Sequence, residues 1–160
     1  MTFKIKEKKA TLNVKGSRIR CLNVDDEGNL WFSSVGNGLN MYDHNKYNFE
    51  ILSHDPLVKS SLSSNDIISV VEDKSGGLWI SHAKSGVDFL DRKTGTYINY
   101  SIESKEPFIL SDDNVQAMII DNNNQLWIGT KFGGINQINA DSKIAKSFVA
   151  DKDNINSPRH

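Results

Sequence analysis

Gly129-Thr130-Lys131-Phe132-Gly133-Gly134 has the ingredients of a phosphate-binding loop: glycines and a lysine directly after a strand-like run, Leu126-Trp127-Ile128. Such a loop also needs the free N–H groups of a helix N-terminus immediately after it. The next residues are Ile135-Asn136-Gln137-Ile138-Asn139, which alternate apolar and polar as a strand does. The nucleotide chemistry therefore loses its support. His82 has Asp88 six residues on, and a general base needs an orienting acid, yet no nucleophile stands nearby in a recognisable context. His44, His54 and His160 share no metal-ligand spacing with His82 or one another. Cys21 is the single cysteine, which excludes an internal disulfide and a multi-cysteine metal site. These residues call for no catalytic group, no metal and no cofactor, and His82 reads as a turn residue.

The glycines make sense once the chain is laid against itself. Trp31, Trp79 and Trp127 recur at an interval of 48 residues. Around them stand "DDEGNLWFSSVGNGLNMYD", "DKSGGLWISHAKSGVDFLD" and "DNNNQLWIGTKFGGINQIN". Asp25, Asp73 and Asp121 align, as do Gly38, Gly86 and Gly134. A period of this length lies between those of known propeller repeats. Each copy reads as four short strands. The first is apolar and β-branched; a turn rich in Asp, Asn and Gly leads to a second strand centred on the tryptophan. The third alternates apolar and polar residues, and the fourth is the weakest. The fold class expected is all-β: a β-propeller fragment of three four-stranded antiparallel blades. Residues 1–16 would be an arm with the outer strand of a preceding blade, 17–56 the first blade, 57–104 the second and 105–152 the third. Residues 153–160 would be a linker toward a further blade. "TFKI" at 2–5 resembles "NFEI" at 48–51, so the chain reads as an excerpt of a longer ring.

In this frame the repeated residues have structural work. The last glycine of each turn supplies a backbone conformation that a Cβ would strain. Asp25, Asp73 and Asp121 sit where Asx turns form, rather than as cation ligands. The tryptophans read as packing between blades, with each indole N–H tied to a neighbouring group. Cys21 aligns with Ser69 and Ala117, as a small core residue does.

The chain has 160 residues, 24% of them charged, and a formal net charge of −1. No apolar run approaches the ~20 residues of a membrane helix, and the first twenty residues have no signal-peptide core. Those twenty hold seven Lys or Arg and one Glu. Without aromatic stacking groups beside the charge, a solvated strand is expected there rather than a nucleic-acid site.

The pattern D-x-x-G-x-L-W-I-G-T-x-x-G-G-[IL]-x-x-[IL]-[DN], best matched at Asp121 to Asn139, resembles the two-component-regulator propeller repeat. Blade two departs from it with Ser81-His82 in place of Gly-Thr. The resemblance covers about residues 17–150. It implies part of the extracytoplasmic, periplasmic sensor region of a bacterial hybrid two-component system. In such systems carbohydrate breakdown products are sensed, and a histidine kinase lies elsewhere in the protein.

Three blades leave two faces uncovered, so Trp31 and Phe32 at one end and Trp127 and Phe148 at the other should be partly exposed. Partners should be further blades or a second copy. A ligand, an oligosaccharide by the resemblance, would meet the turns between second and third strands, where Ser33, Asn37, His82, Lys84, Lys131 and Phe132 gather. His82, Lys84, Lys131 and Phe132 are the candidate binding residues. The alternatives are a structural or protein-interaction propeller segment, and part of a propeller lyase or hydrolase.

Overall fold

The computed structural model describes residues 18–58, 60–104 and 108–151. The arm at 1–16 and the linker at 153–160 lie outside them. The first 48-residue copy folds as β1 (Ile19–Val24), β2 (Leu30–Ser34), β3 (Leu39–Asp43) and β4 (Asn48–Leu52). The second gives β5 (Ile67–Glu72), β6 (Leu78–His82), β7 (Val87–Asp91) and β8 (Thr96–Tyr100). The third gives β9 (Val115–Ile120), β10 (Gln125–Thr130), β11 (Ile135–Asn139) and β12 (Ala145–Phe148). Each copy is one antiparallel sheet whose strands pair in chain order. No helix occurs among the described residues. The fold is all-β: three propeller blades.

Local sequence explains the tight turns. Gly28, Gly76 and Asn124 hold positive φ at the same place in the first turn of each copy, where residues without a bulky branched side chain are tolerated. Gly38, Gly86 and Gly134 have φ of 72°, 68° and 73°. A Cβ there would collide with the carbonyl oxygens of Leu52, Tyr100 and Phe148, so each glycine lets the third strand start against the end of the fourth. The innermost strand of each blade is bulged at one position, after Ile19, Ile67 and Val115. The extra residue re-aims its neighbours, and in blade one it is Arg20, whose guanidinium meets Asp66 of blade two at 2.8 Å.

Cross-strand partners share a face of the sheet, so the register states which side of each blade faces which neighbour. In blade one, Asn23, Trp31, Met41 and Glu50 are in register, as are Cys21, Ser33 and Leu39. This side packs on blade two, where Trp31, Leu39 and Met41 join Leu62, Ile67, Val70, Leu78 and Ile80. One period on, Trp79 turns the equivalent side of blade two toward Leu126, Ile128 and Ile138 of blade three. The core is therefore interblade, built by tryptophan-bearing faces on aliphatic ones. The second interface is the more aromatic: Trp79 lies 4.8 Å from Phe89 and 5.5 Å from Tyr100, centroid to centroid.

The register corrects the expectation for one open end. Trp31 and Phe32 are buried, at 3% and 6% exposure. Trp31 faces blade two rather than the open side. Phe32 sits on the open side but on an inner strand, flanked in register by Leu22 and Asn40. What blade one exposes there is Leu22, Val24 and Ile51, each about 60% accessible or more. At the other end Trp127 is half-buried, and Ile119 at 62% and Phe148 at 39% are exposed.

Candidate functional site

The aspartates and tryptophans that recur in sequence form one device in space. Asp25, Asp73 and Asp121 each accept the indole N–H of Trp31, Trp79 and Trp127, at 2.9, 3.1 and 2.9 Å. The same carboxylates accept the backbone N–H of Asn29, Gly77 and Gln125, closing the turn between first and second strands. The indole partner is thus the aspartate of its own blade. Among the described residues no group of three or more His, Cys, Asp or Glu could hold a metal.

At the opposite end of the blades lie the turns between second and third strands. Here the structure separates the candidate residues. His82 is wholly buried at the end of β6, so the expectation of a solvated turn histidine is corrected. Its Nε2 lies 2.8 Å from Asp88 Oδ2, and its Nδ1 is buried without a partner. Asp88 also accepts from Ser63 N at 2.7 Å, Ser63 Oγ at 2.6 Å and Asn99 Nδ2 at 2.8 Å. Burial alone would raise the Asp88 carboxyl, but the bonds from His82 and Ser63 outweigh it and hold the group below its ordinary value. The ionised carboxylate therefore takes its proton-bearing partner at His82 Nε2. Serine, aspartate and histidine meet, but in the wrong order for nucleophile activation: hydroxyl and imidazole both bind the carboxylate, and nothing sets the imidazole on the hydroxyl.

Blade three repeats the arrangement without charge. Asn136 Nδ2 donates to Ser111 Oγ at 2.8 Å, and its Oδ1 accepts from Ser147 Oγ at 2.8 Å. Asn40 holds the same place in blade one and is buried. Strand alternation alone assigns this third-strand position to a solvated face. The signal available is that it is polar in all three copies, Asn40, Asp88 and Asn136.

Ser33 is buried beneath this end, its hydroxyl 3.2 Å from Cys21 Sγ. Burial pushes the Cys21 thiol up, against the pull of Ser33. Asn37, Lys84, Lys131 and Phe132 are exposed. The Lys131 ammonium lies 4.9 Å from the centroid of the Phe132 ring, a cation–π pair on the surface. Of the four candidate binding residues, then, three face solvent and His82 does not.

The aspartate end carries a second constellation that sequence reading missed. Arg92, from the turn after β7, reaches Asp25 Oδ2 of blade one at 2.6 Å, pairs with Glu72, and donates from Nε to Gly76 O at 2.7 Å. Its guanidinium carbon is 6.0 Å from the Trp31 ring centroid. Burial alone would raise Asp25, but Trp31, Asn29 and Arg92 together hold it below its ordinary value. Burial pushes Glu72 up despite Arg92, with help from the neighbouring charges of Asp25 and Asp26. Beside Arg92 a cleft of about 660 Å³ opens between blades one and two.

The family model described as Two component regulator propeller matches residues 13–36, 61–84 and 109–132, one stretch for each blade. The three copies are two component regulator propeller repeats. Among solved structures, the propeller blades are similar to the extracellular domain of BT4673 of B. thetaiotaomicron, a one component or hybrid two component system. Identity is 27% with a TM-score of 0.66, covering 84% of this chain and 19% of that one. The extracellular domain of the hybrid two component system BT3049 of the same organism has 22% identity and a TM-score of 0.69, over 82% of this chain and 18% of that one. Virginiamycin B lyase of Staphylococcus aureus shares the fold alone, at 14% identity and a TM-score of 0.59, over 82% of this chain and 41% of that one. This chain thus spans less than a fifth of the two extracellular domains. No curated protein matches the chain.

Proposed function

We propose that this chain is a non-catalytic segment of the extracytoplasmic, periplasmic sensor region of a hybrid two-component regulator, and that it senses carbohydrate-derived ligands. The observation that carries the reading is the three-fold match to two component regulator propeller repeats, together with the likeness to the BT4673 extracellular domain. The Ser63–Asp88–His82 geometry supports a non-catalytic role, since the imidazole is buried and bonded away from the hydroxyl. Histidine kinase activity would belong to other parts of a longer protein. No helix of the described residues is long and apolar enough to cross a membrane. Lys84, Lys131 and Phe132 are solvent-facing polar and aromatic groups suited to hydrogen bonding and ring stacking with a sugar. Thermal melts of the chain across a panel of neutral and acidic oligosaccharides test the proposal. A saturable rise in melting temperature with a subset of sugars is expected; a flat response to every member overturns carbohydrate sensing.

A second reading, association, is favoured by the end faces. Leu22, Val24 and Ile51 at one end, and Ile119, Ile135 and Phe148 at the other, are each 39% exposed or more. All but Ile51 occupy positions that adjoining blades cover wholly or in part at the two internal interfaces, whereas the equivalents of Ile51, Asn99 and Ser147, stay exposed. We therefore propose that these faces take further blades or a second copy. Light scattering over a concentration series should show mass above that of one chain, and a constant monomer mass refutes it.

A further inference from the structure

We infer that the cleft between blades one and two is a binding site for a neutral sugar ring. The inference rests on the carbohydrate reading above and gives it a location away from the Lys84, Lys131 and Phe132 end. The repeat supplies its own internal comparison. At the interface of blades two and three, the rings of Phe89 and Tyr100 pack beside Trp79. Lys143 closes the remaining gap, its ammonium 3.8 Å from the Phe89 centroid and 4.5 Å from that of Trp79. One period earlier, the same three positions are Met41, Leu52 and Gly95, all smaller, and all three line the cleft. A Cβ at Gly95 would meet nothing within 4 Å. Backbone geometry is not the reason for the difference, because Gly95 and Lys143 both hold positive φ, 71° and 58°. The smaller residues at all three positions help leave the cleft open, and its volume of about 660 Å³ lies in the range of small-molecule sites.

The walls say what would fill it. Buried Trp31 and Leu90 back the apolar base, and the half-buried ring of Tyr97 is the aromatic face open to the C–H side of a pyranose. The rim carries three carboxylates, Glu27, Asp43 and Glu50, against three cations, Lys46, Arg92 and Lys93. Two of the cations are already engaged: Lys46 with Asp43 at 3.0 Å, and Arg92 with Asp25 and Glu72. A balanced rim gives no net attraction to an ion, while its donors and acceptors match a ring of hydroxyl groups. The cation required beside Trp31 is also present already, as Arg92, so an amine ligand has no place to take. A neutral sugar matches both base and rim.

The test is calorimetric titration of the full chain with maltose, cellobiose and mannobiose, followed in parallel by tryptophan fluorescence. Gly95→Lys should restore the closure seen at the next interface and weaken binding by about tenfold or more. A triple Lys84→Ala, Lys131→Ala, Phe132→Ala variant tests the turn end in parallel, and a greater loss of binding in Gly95→Lys than in the triple variant supports the cleft. If Gly95→Lys fails to fold, Met41→Phe fills the cleft from the opposite wall and decides in its place. Binding that survives cleft filling but is lost in the triple variant overturns the cleft and leaves carbohydrate sensing standing. Binding of none of the three disaccharides overturns the cleft, and the panel of oligosaccharides then decides separately whether sensing falls with it.

Discussion

Replacing Asp88 with alanine removes the one acceptor that four donors share. Ser63 N, Ser63 Oγ and Asn99 Nδ2 belong to residues with some solvent access, and water can replace part of their loss. His82 has no such recourse: it is fully buried, and its other nitrogen is already unpartnered. Leaving a buried hydrogen-bond partner unsatisfied costs about 1–3 kcal/mol, and more where one of the groups is charged, so Asp88→Ala, which strands His82 Nε2, should cost about 2–4 kcal/mol. Blade three supplies the repair, because it places Thr130 and Asn136 where blade two has His82 and Asp88. A double-mutant cycle in urea, read by circular dichroism, should therefore find His82→Thr and Asp88→Asn coupled by about 1–3 kcal/mol. In that cycle the pair of changes is milder than the sum of the single ones. A cost below about 1 kcal/mol for Asp88→Ala, or additivity across the cycle, would show that the pair is better solvated than its burial indicates and would refute the reasoning.

The same structure sets three other outcomes. Gly86→Ala should destabilise by about 2–4 kcal/mol, combining left-handed strain with overlap on Tyr100 O; Gly36→Ala, at φ +76° with open space around it, should cost about 1–2 kcal/mol, and equal melting temperatures for the two would remove the packing argument. Trp79→Ala should cost about 3–5 kcal/mol in urea unfolding, and Trp127→Ala clearly less, since Trp79 is buried and Trp127 half-buried; the reverse ranking contradicts the interface assignment. The pH dependence has two signs. Asp25 and Asp88 are held low, so their contribution is present above their unfolded values and disappears as pH falls through the lowered folded ones. Glu72 is pushed up, so its contribution is present below its unfolded value and is lost as pH rises through the folded one. The urea midpoint should fall below about pH 4, Asp88→Asn should reduce that fall, and Glu72→Gln should remove the opposing loss; a midpoint unchanged from about pH 5 to pH 2 sinks the assignment.

Much of this architecture is legible in the amino-acid order. A strict 48-residue period with one tryptophan per copy specifies the four-stranded unit, because strand alternation, turn glycines and Asx positions are local properties. Gly38, Gly86 and Gly134 could be singled out for the same reason, although the fourth-strand carbonyls they accommodate are fourteen residues away in each blade. The resemblance of Asp121 to Asn139 points to the repeat family that the family model matches. His82 is misread from sequence because exposure is not local. It ends a strand in a position that Ser34 and Thr130 share; Ser34 is buried too and Thr130 half-buried, and nothing in the local pattern shows that this strand end is covered. Asp88 is noticed beside His82 in sequence, but its burial is missed, because alternation along β7 assigns it to the polar side without revealing that the adjoining blade covers that side.

What the order of residues determined alone, then, is the repeating unit: strand lengths, turn chemistry, and the recurrence of one aspartate and one tryptophan six residues apart. Tertiary structure decided everything that depends on which blade lies beside which. It buried Trp31 against blade two, drew Arg92 across to Asp25, and left a cleft where Gly95, Met41 and Leu52 face one another. The reason is physical. A turn is specified by the dihedral preferences of a few adjacent residues, whereas an interblade contact is specified by volumes and charges brought together from segments nearly fifty residues apart.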